Sequence, residues 1–281
     1  MSGRVYACDG SAEILRKIVN KGGHLELASQ YANVILFKAS ALVITRDLAG
    51  AIKLYNECID NLDSLVKKTG STLIAYCLSK AYIDKSVALA SSNDLPGAVE
   101  LCGKAISILQ KQVGREFYPQ SANDLALAFM DMAIALYRQD IRVVAADMFD
   151  KCIAIRRRLV EQEGRREYAG SLATSLECKA TFLSIMGHGN EAICLYDESI
   201  ALWRHLVFEE GRHQYAAELN TSLMNKASGL GNMGDISGAI RQYECCIATL
   251  KTLVEEKGNK EYAKHLEFAL ANKAKLENIK C

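Results

Sequence analysis

The residues best able to do chemistry in this 281-residue chain are ten cysteines, five histidines and two glycine-rich stretches. Thiolates and imidazoles at C-x-x-C or H-E-x-x-H spacing would hold zinc tetrahedrally. Neither spacing occurs: Cys245 and Cys246 are adjacent, and His24, His188, His205, His213 and His265 are dispersed. His188 lies between Gly187 and Gly189 and reads as a solvated turn residue. The stretch Gly229-Leu230-Gly231-Asn232-Met233-Gly234 matches G-x-G-x-x-G, but a dinucleotide fingerprint needs a strand before it and a helix starting within it. GAVELCGK at 97–104 is one residue too long for a phosphate-cradling loop and lacks the following Ser or Thr. No nucleophile is paired with a base. The expectation is a non-enzyme with no catalytic residue, no metal site and no cofactor.

The cysteines point instead to architecture. Cys58, Cys152 and Cys246 fall in one column of a 47-residue step, with Ala105 and Ser199 completing it. That pattern reads as a packing site for small residues, where a buried free thiol fits. Free structural thiols imply a reducing, cytoplasmic compartment. Cys8 and Cys281 near the ends read as exposed.

The same step governs the whole chain. Ala51, Ala98, Ala145, Ala192 and Ala239 each open a variant of one phrase, from AIKLYNECI to AIRQYECCI. Ile59, Ile106, Ile153, Ile200 and Ile247 keep the step, as do Ala28, Ala75, Ala122, Ala169, Ala216 and Ala263. A period of this size marks one supersecondary unit, copied and stacked so that each copy buries its apolar face on its neighbours. Each unit holds two helical patterns. In one copy Ala169, Leu172, Leu176, Ala180 and Leu183 share a face of the first helix, and Ile193, Tyr196, Ile200, Trp203 and Val207 share a face of the second. Asp47, Asp94 and Asp235 stand where an N-cap oxygen would satisfy the free amides of the second helix. Gly23, Gly70, Gly164, Gly211 and Gly258 stand where that helix would end in a left-handed turn. The third copy breaks this column, with Gly114 early and Pro119 behind it, and predicts an irregular turn.

Within the unit, Leu223, Ala227, Leu230, Gly234, Ala239, Tyr243 and Cys246 resemble the tetratricopeptide repeat (TPR). The resemblance covers about residues 24–281. The usual unit of that family has 34 residues and often a proline ending its second helix. This chain has 13 more residues per unit and no such proline. The resemblance implies an all-α, right-handed α-solenoid of helix-turn-helix repeats, about five helix pairs with flanking helices. The domain reading is a single solenoid over 1–281: an N-terminal flanking helix in 1–23, five repeats over 24–257, and a C-terminal capping helix in 258–281. It also implies that the first helix of each pair lines a concave groove, through Lys80, Ile83, Asp84, Leu127, Met130, Asp131, Ile134, Tyr137, Glu177, Met224 and Asn225. Leu36, Ser40, Val87, Thr174, Thr181 and Ser228 are further inward positions on the same grounds. Some TPR proteins clamp a terminal carboxylate with Lys, Arg and Asn at such positions. Leu36, Ile83, Met130, Asp84 and Asp131 depart from that set, so an apolar floor with scattered acids suits an amphipathic or apolar segment of a protein partner instead. Any one of these apolar residues has packing against neighbouring helices as its alternative role.

Charge and composition narrow the partners. Thirty-four basic and thirty-three acidic side chains leave the chain near neutral, against a protein built to hold nucleic acid. The apolar runs read as interrupted before membrane-spanning length, and MSGRVYACDG lacks the pattern of a signal peptide. Lys38, Lys85, Lys179, Lys226 and Lys273 form a polar column, opposite Glu57, Asp150, Asp197 and Glu244. Ion pairing between helices is the preferred reading over a basic ladder for an acidic partner, because regular spacing is what architecture produces. Arg156, Arg157, Arg158, Arg165 and Arg166, interleaved with Glu161, Glu163 and Glu167, read as a solvated, self-compensated face. Apolar ends such as Ile14, Leu15 and Ile18 allow homo-oligomerisation through the solenoid termini. The function expected is a non-enzymatic protein- or peptide-binding scaffold. The alternative is a sensor or regulatory TPR domain of a larger enzyme or signalling protein, the chain being part of a longer array.

Overall fold

The computed structural model describes residues 25–113, 119–257 and 261–280, and among them every regular element is helical. The elements alternate as the two patterns require. First-type and second-type helices follow one another as α1 (Leu25–Ile44) and α2 (Leu48–Thr69), α3 (Thr72–Ser91) and α4 (Leu95–Val113), α5 (Pro119–Arg138) and α6 (Arg142–Arg157). Then come α7 (Ala169–Ile185) and α8 (Gly189–Arg204), α9 (Ala216–Asn232) and α10 (Ile236–Lys257), and the closing α11 (Glu261–Lys280). The expected helix in 1–23, the irregular turn at 114–118, Gly23, Gly258, Cys8 and Cys281 lie outside the described residues.

The chain falls into two compact units, 1–155 and 156–281, a division that the unbroken 47-residue step does not announce. In the first, α1 to α5 pack in sequence, each of the first four on its successor, and α1 also packs on α3 and α3 on α5. In the second, α7 to α11 pack in sequence and α7 also meets α9. The repeat columns supply the contacts. Ala51, Ala98, Ala145, Ala192 and Ala239 are at most 1 % exposed, so nothing larger than a methyl group fits there. Cys58, Ala105, Cys152, Ser199 and Cys246 are all fully buried, as the small-residue reading requires.

Each tight turn repeats one backbone device. Arg46, Asn93, Asp140, Gly187 and Gly234 occupy a single column, and all five have φ between 64° and 84°. The carboxylates of Asp47, Asp94 and Asp235 then accept from the amides of Gly50, Gly97 and Gly238 at 2.8–3.0 Å. A Cβ on any of these three glycines would collide with the capping carboxylate, so Asp-x-x-Gly is one functional cap. G-x-G-x-x-G is the end of α9 and this turn, with no strand before it.

The far ends of the second-type helices depart from a simple glycine stop. Gly70, Gly164 and Gly211 are left-handed as expected. However, α6 and α8 run on into wide π-helical turns, Arg158–Gln162 and His205–Glu209, followed by 3₁₀ turns at Arg166–Tyr168 and His213–Tyr215. The amide of Glu163 reaches back to the carbonyl of Arg158, and that of Glu210 to His205. Leu159 and Leu206 stay fully buried through these turns.

One expectation about α1 is corrected. The window Leu27–Ile44 has a mean hydropathy of 1.4 and is long and apolar enough to cross a membrane. Its apolar excess has a packing role: Ala28, Tyr31, Ala32, Ile35, Leu36 and Ala39 sit in the core cluster with α2 and α3.

Candidate functional site

The side chains open to a ligand are those that the inner columns of the first-type helices leave uncovered. Phe37, Asp84 and Asp131 share one column on α1, α3 and α5; Ser40, Val87 and Ile134 share the next. Because α1, α3 and α5 pack side by side, these columns run across the first unit. Phe37 is 62 % exposed, Val87 42 % and Ile134 36 %, and Leu127, Met130, Asp131 and Tyr137 are half-buried or deeper. Ile83 is only 3 % exposed and Leu36 5 %. Both belong to the packed core, so the expected groove position of Ile83 is corrected: neighbouring helices cover it.

Acid chemistry lies beside this apolar surface. The Tyr76 hydroxyl donates to Asp124 Oδ2 at 2.7 Å, tying α3 to α5. Lys80 places its ammonium 5.8 Å from the centre of the Tyr76 ring. Burial pushes the Asp84 carboxyl up to about 6; Lys80 opposes the shift and the Asp124 charge adds to it. Asp84 in turn helps hold the Tyr55 phenol above its ordinary range, after burial itself and against the bond from Ser40.

A paired substitution explains why Val87 and Ile134 are on offer. Ser40 meets the Tyr55 hydroxyl at 3.3 Å, and Thr181 meets that of Tyr196 at 2.9 Å, one column against another. Where the second-type helix carries Cys102 or Phe149 instead of tyrosine, the first carries Val87 or Ile134. No phenol is present there to satisfy, and the position becomes apolar. This covariation between columns is legible in the sequence.

The second unit treats its inner residues differently. Asn225 donates to Glu177 Oε1 at 2.8 Å, and Ser222 makes a short bond to the other oxygen. Burial raises the Glu177 carboxyl, and both hydrogen bonds oppose the rise. Glu177 and Asn225 therefore satisfy each other, with Met224 half-buried alongside. The lysine column follows its architectural reading where its partners are seen: Lys226 reaches Asp197 at 2.5 Å and Lys273 reaches Glu244 at 2.9 Å. The arginine patch is self-compensated through Arg157 with Glu198 at 2.6 Å and Arg158 with Glu163 at 3.2 Å. Arg156 is the correction there. It is 3 % exposed, in the column of Leu62, Leu109, Trp203 and Leu250, and donates to the Ser171 carbonyl and to Ser175 Oγ. No cluster of His, Cys, Asp or Glu among the described residues could hold a metal ion.

Several solved structures share this architecture. BtubC (BKLC) from P. vanneervenii superposes with a TM-score of 0.73 at 13% identity, over 90% of this chain and 91% of that one. A putative kinesin light chain from Podosopora anserina with nearly identical TPR-like repeats gives 0.56 at 16% identity, over 80% and 97%. The nuclear import adaptor Nro1 of S. pombe gives 0.63 at 14% identity, over 89% and 87%. The chain has a TPR-like helical-repeat fold. No protein-family model matches the sequence, and no curated relative does. At such identities the likeness speaks for fold alone, and a TPR-like repeat is a scaffold consistent with protein interaction.

Proposed function

We propose that this chain is a non-enzymatic scaffold that binds a protein or peptide segment on the inner columns of α1, α3 and α5. The observation that carries the reading is the exposure of Phe37, and of Val87 and Ile134 in the next column, on three adjacent helices beside the half-buried Asp84. Large apolar side chains exposed on successive helices suit a helical segment with apolar anchors. Asp84 adds a preference for a basic residue, since a cation delivered there would lower the carboxyl again. Leu127, Met130 and Tyr137 extend the floor along α5, and Tyr137 is the candidate hot spot. The buried free thiols suit a reducing compartment, and we place the protein in the cytoplasm on that ground.

A displayed library of helical peptides, selected on the full chain, tests this reading. Ile134→Glu and Val87→Glu should each weaken the selected peptides tenfold or more, as a hot-spot loss of about 2 kcal/mol would. Lys111→Ala, on an exposed site of α4, should leave affinity unchanged. Failure to select any peptide, or selected peptides indifferent to both glutamate variants, would refute it.

A further inference from the structure

A different site lies in the second unit, where the wide turn after α6, the entry to α7 and the last turn of α8 meet. A cavity of about 320 Å³ opens there, with Val160, Ala169, Leu202 and Leu206 as walls. Gly164, left-handed at φ 66°, closes one side without a side chain, and Arg166 and His205 complete the lining. Arg166 is joined to Glu210 Oε1 through Nε at 3.2 Å, and Arg212 Nε holds the other Glu210 oxygen at 3.0 Å. An Arg166 guanidinium nitrogen makes a short contact with His205 Nε2, while His205 Nδ1 lies 2.6 Å from Glu209. His205 Nε2 also lies 3.5 Å from Glu210 Oε1, so the imidazole and Arg166 stand at the same carboxylate.

We propose that this cavity binds a small monocarboxylate with a short apolar tail, the tail among the four walls and the carboxylate on Arg166. The volume sits at the lower limit of ligand sites, roughly 300 Å³, which fits a tail of a few carbons and not a larger cofactor. The walls are aliphatic, so the tail gains from leaving water. Arg166 is the group able to change partner. Glu210 is shared with Arg212, so Arg166 can turn to an incoming anion without stranding Glu210. A cation entering the same mouth would meet the Arg166 guanidinium, which lines it.

The site is not a by-product of the repeat. One step on, the places of Arg166 and His205 hold His213 and Thr252; one step back they hold Pro119 and Arg158. Arginine in contact with histidine at these two places occurs in this copy alone among those three.

The chain carries its own reporter. Trp203, the single tryptophan, follows the wall residue Leu202, is 2 % exposed and packs against Tyr215 with ring centres 5.3 Å apart and planes tilted by 41°. Gly170, next to the wall residue Ala169, lies against the same ring. Hexanoate, hexan-1-ol and acetate are titrated into the full chain, with Trp203 emission and calorimetry as readouts. Hexanoate should give a saturable change, with hexan-1-ol and acetate about tenfold weaker or more, as loss of a charge-assisted bond or of the tail implies. Arg166→Gln should reduce hexanoate to the level of hexan-1-ol, and Val160→Phe should abolish both by filling the space. Circular dichroism verifies the fold, with Ala169→Val replacing Val160→Phe if that variant is misfolded. No saturable response to hexanoate, equal response to hexan-1-ol, or binding that survives the filled cavity would each overturn the proposal.

Discussion

Replacing Asp84 by asparagine should stabilise the protein, and by an amount that grows with pH. Burial lifts this carboxyl from 3.8 to about 6, a rise of about 2 pKa units. At 1.36 kcal/mol per unit, ionised Asp84 costs the folded state about 3 kcal/mol. The sign follows from proton binding. Below the unfolded value both states are protonated and no cost applies. Between that value and the folded one, the native state holds the proton that the unfolded chain has released, so stability falls as pH rises. Above the folded value the loss is complete. Of the total, about 2 kcal/mol accrues between pH 4.5 and pH 7.5. The neutral amide of the Asp84→Asn variant has no such dependence, so the stability gap between the two proteins should widen by that amount over the same range. Urea unfolding followed by helical circular dichroism at both pH values measures it. A gap independent of pH, or one that narrows, would refute the burial argument. A partner cation beside Asp84 would recover part of the cost, which links this measurement to binding.

Other consequences follow from local geometry. Asp235→Ala removes the side-chain acceptor of the Gly238 amide and should cost about 1 kcal/mol in thermal or urea melts, and indifference to it would discount the cap. Arg46 holds φ 68° where two sister copies use glycine, so Arg46→Gly relieves roughly 1–2 kcal/mol of backbone strain against glycine's larger unfolded-state entropy. The net should be no loss of stability, and a clear destabilisation would count against the assignment. Burial pushes the Cys58, Cys102 and Cys246 thiols up to about 12, while Cys194 and Cys245 are exposed. Brief alkylation of the native protein near pH 8, read by peptide mass spectrometry, should label the exposed pair and spare the buried three.

What the sequence by itself determined is whatever depends on residues close along the chain or on strict recurrence. The 47-residue step, two helices per unit, the Asp-x-x-Gly caps and the left-handed glycines all arise within one turn or one helix face. The structure bears them out in Ala51, Asp47 and Gly70. The fully buried small-residue column was legible for the same reason, since every copy must pack its neighbour alike. What only the tertiary structure decided is which inward residue stays available. A first-type helix such as α3 touches the second-type helices on either side of it and the first-type helices α1 and α5, so apolar residues on most of its circumference are equally plausible as core. Ile83 and Ile134 have the same type and the same helical role, and differ in exposure because of the neighbours they meet. Glu177 finds Ser222 and Asn225 more than forty residues away. Arg156 looks like its exposed neighbours in sequence, yet it occupies a leucine column and is buried. The cavity lined by Arg166 and His205 depends on two π-helical turns that no pattern of periodicity specifies. Periodicity tells which residues share a face. Burial and charge are settled by what the rest of the chain brings against that face.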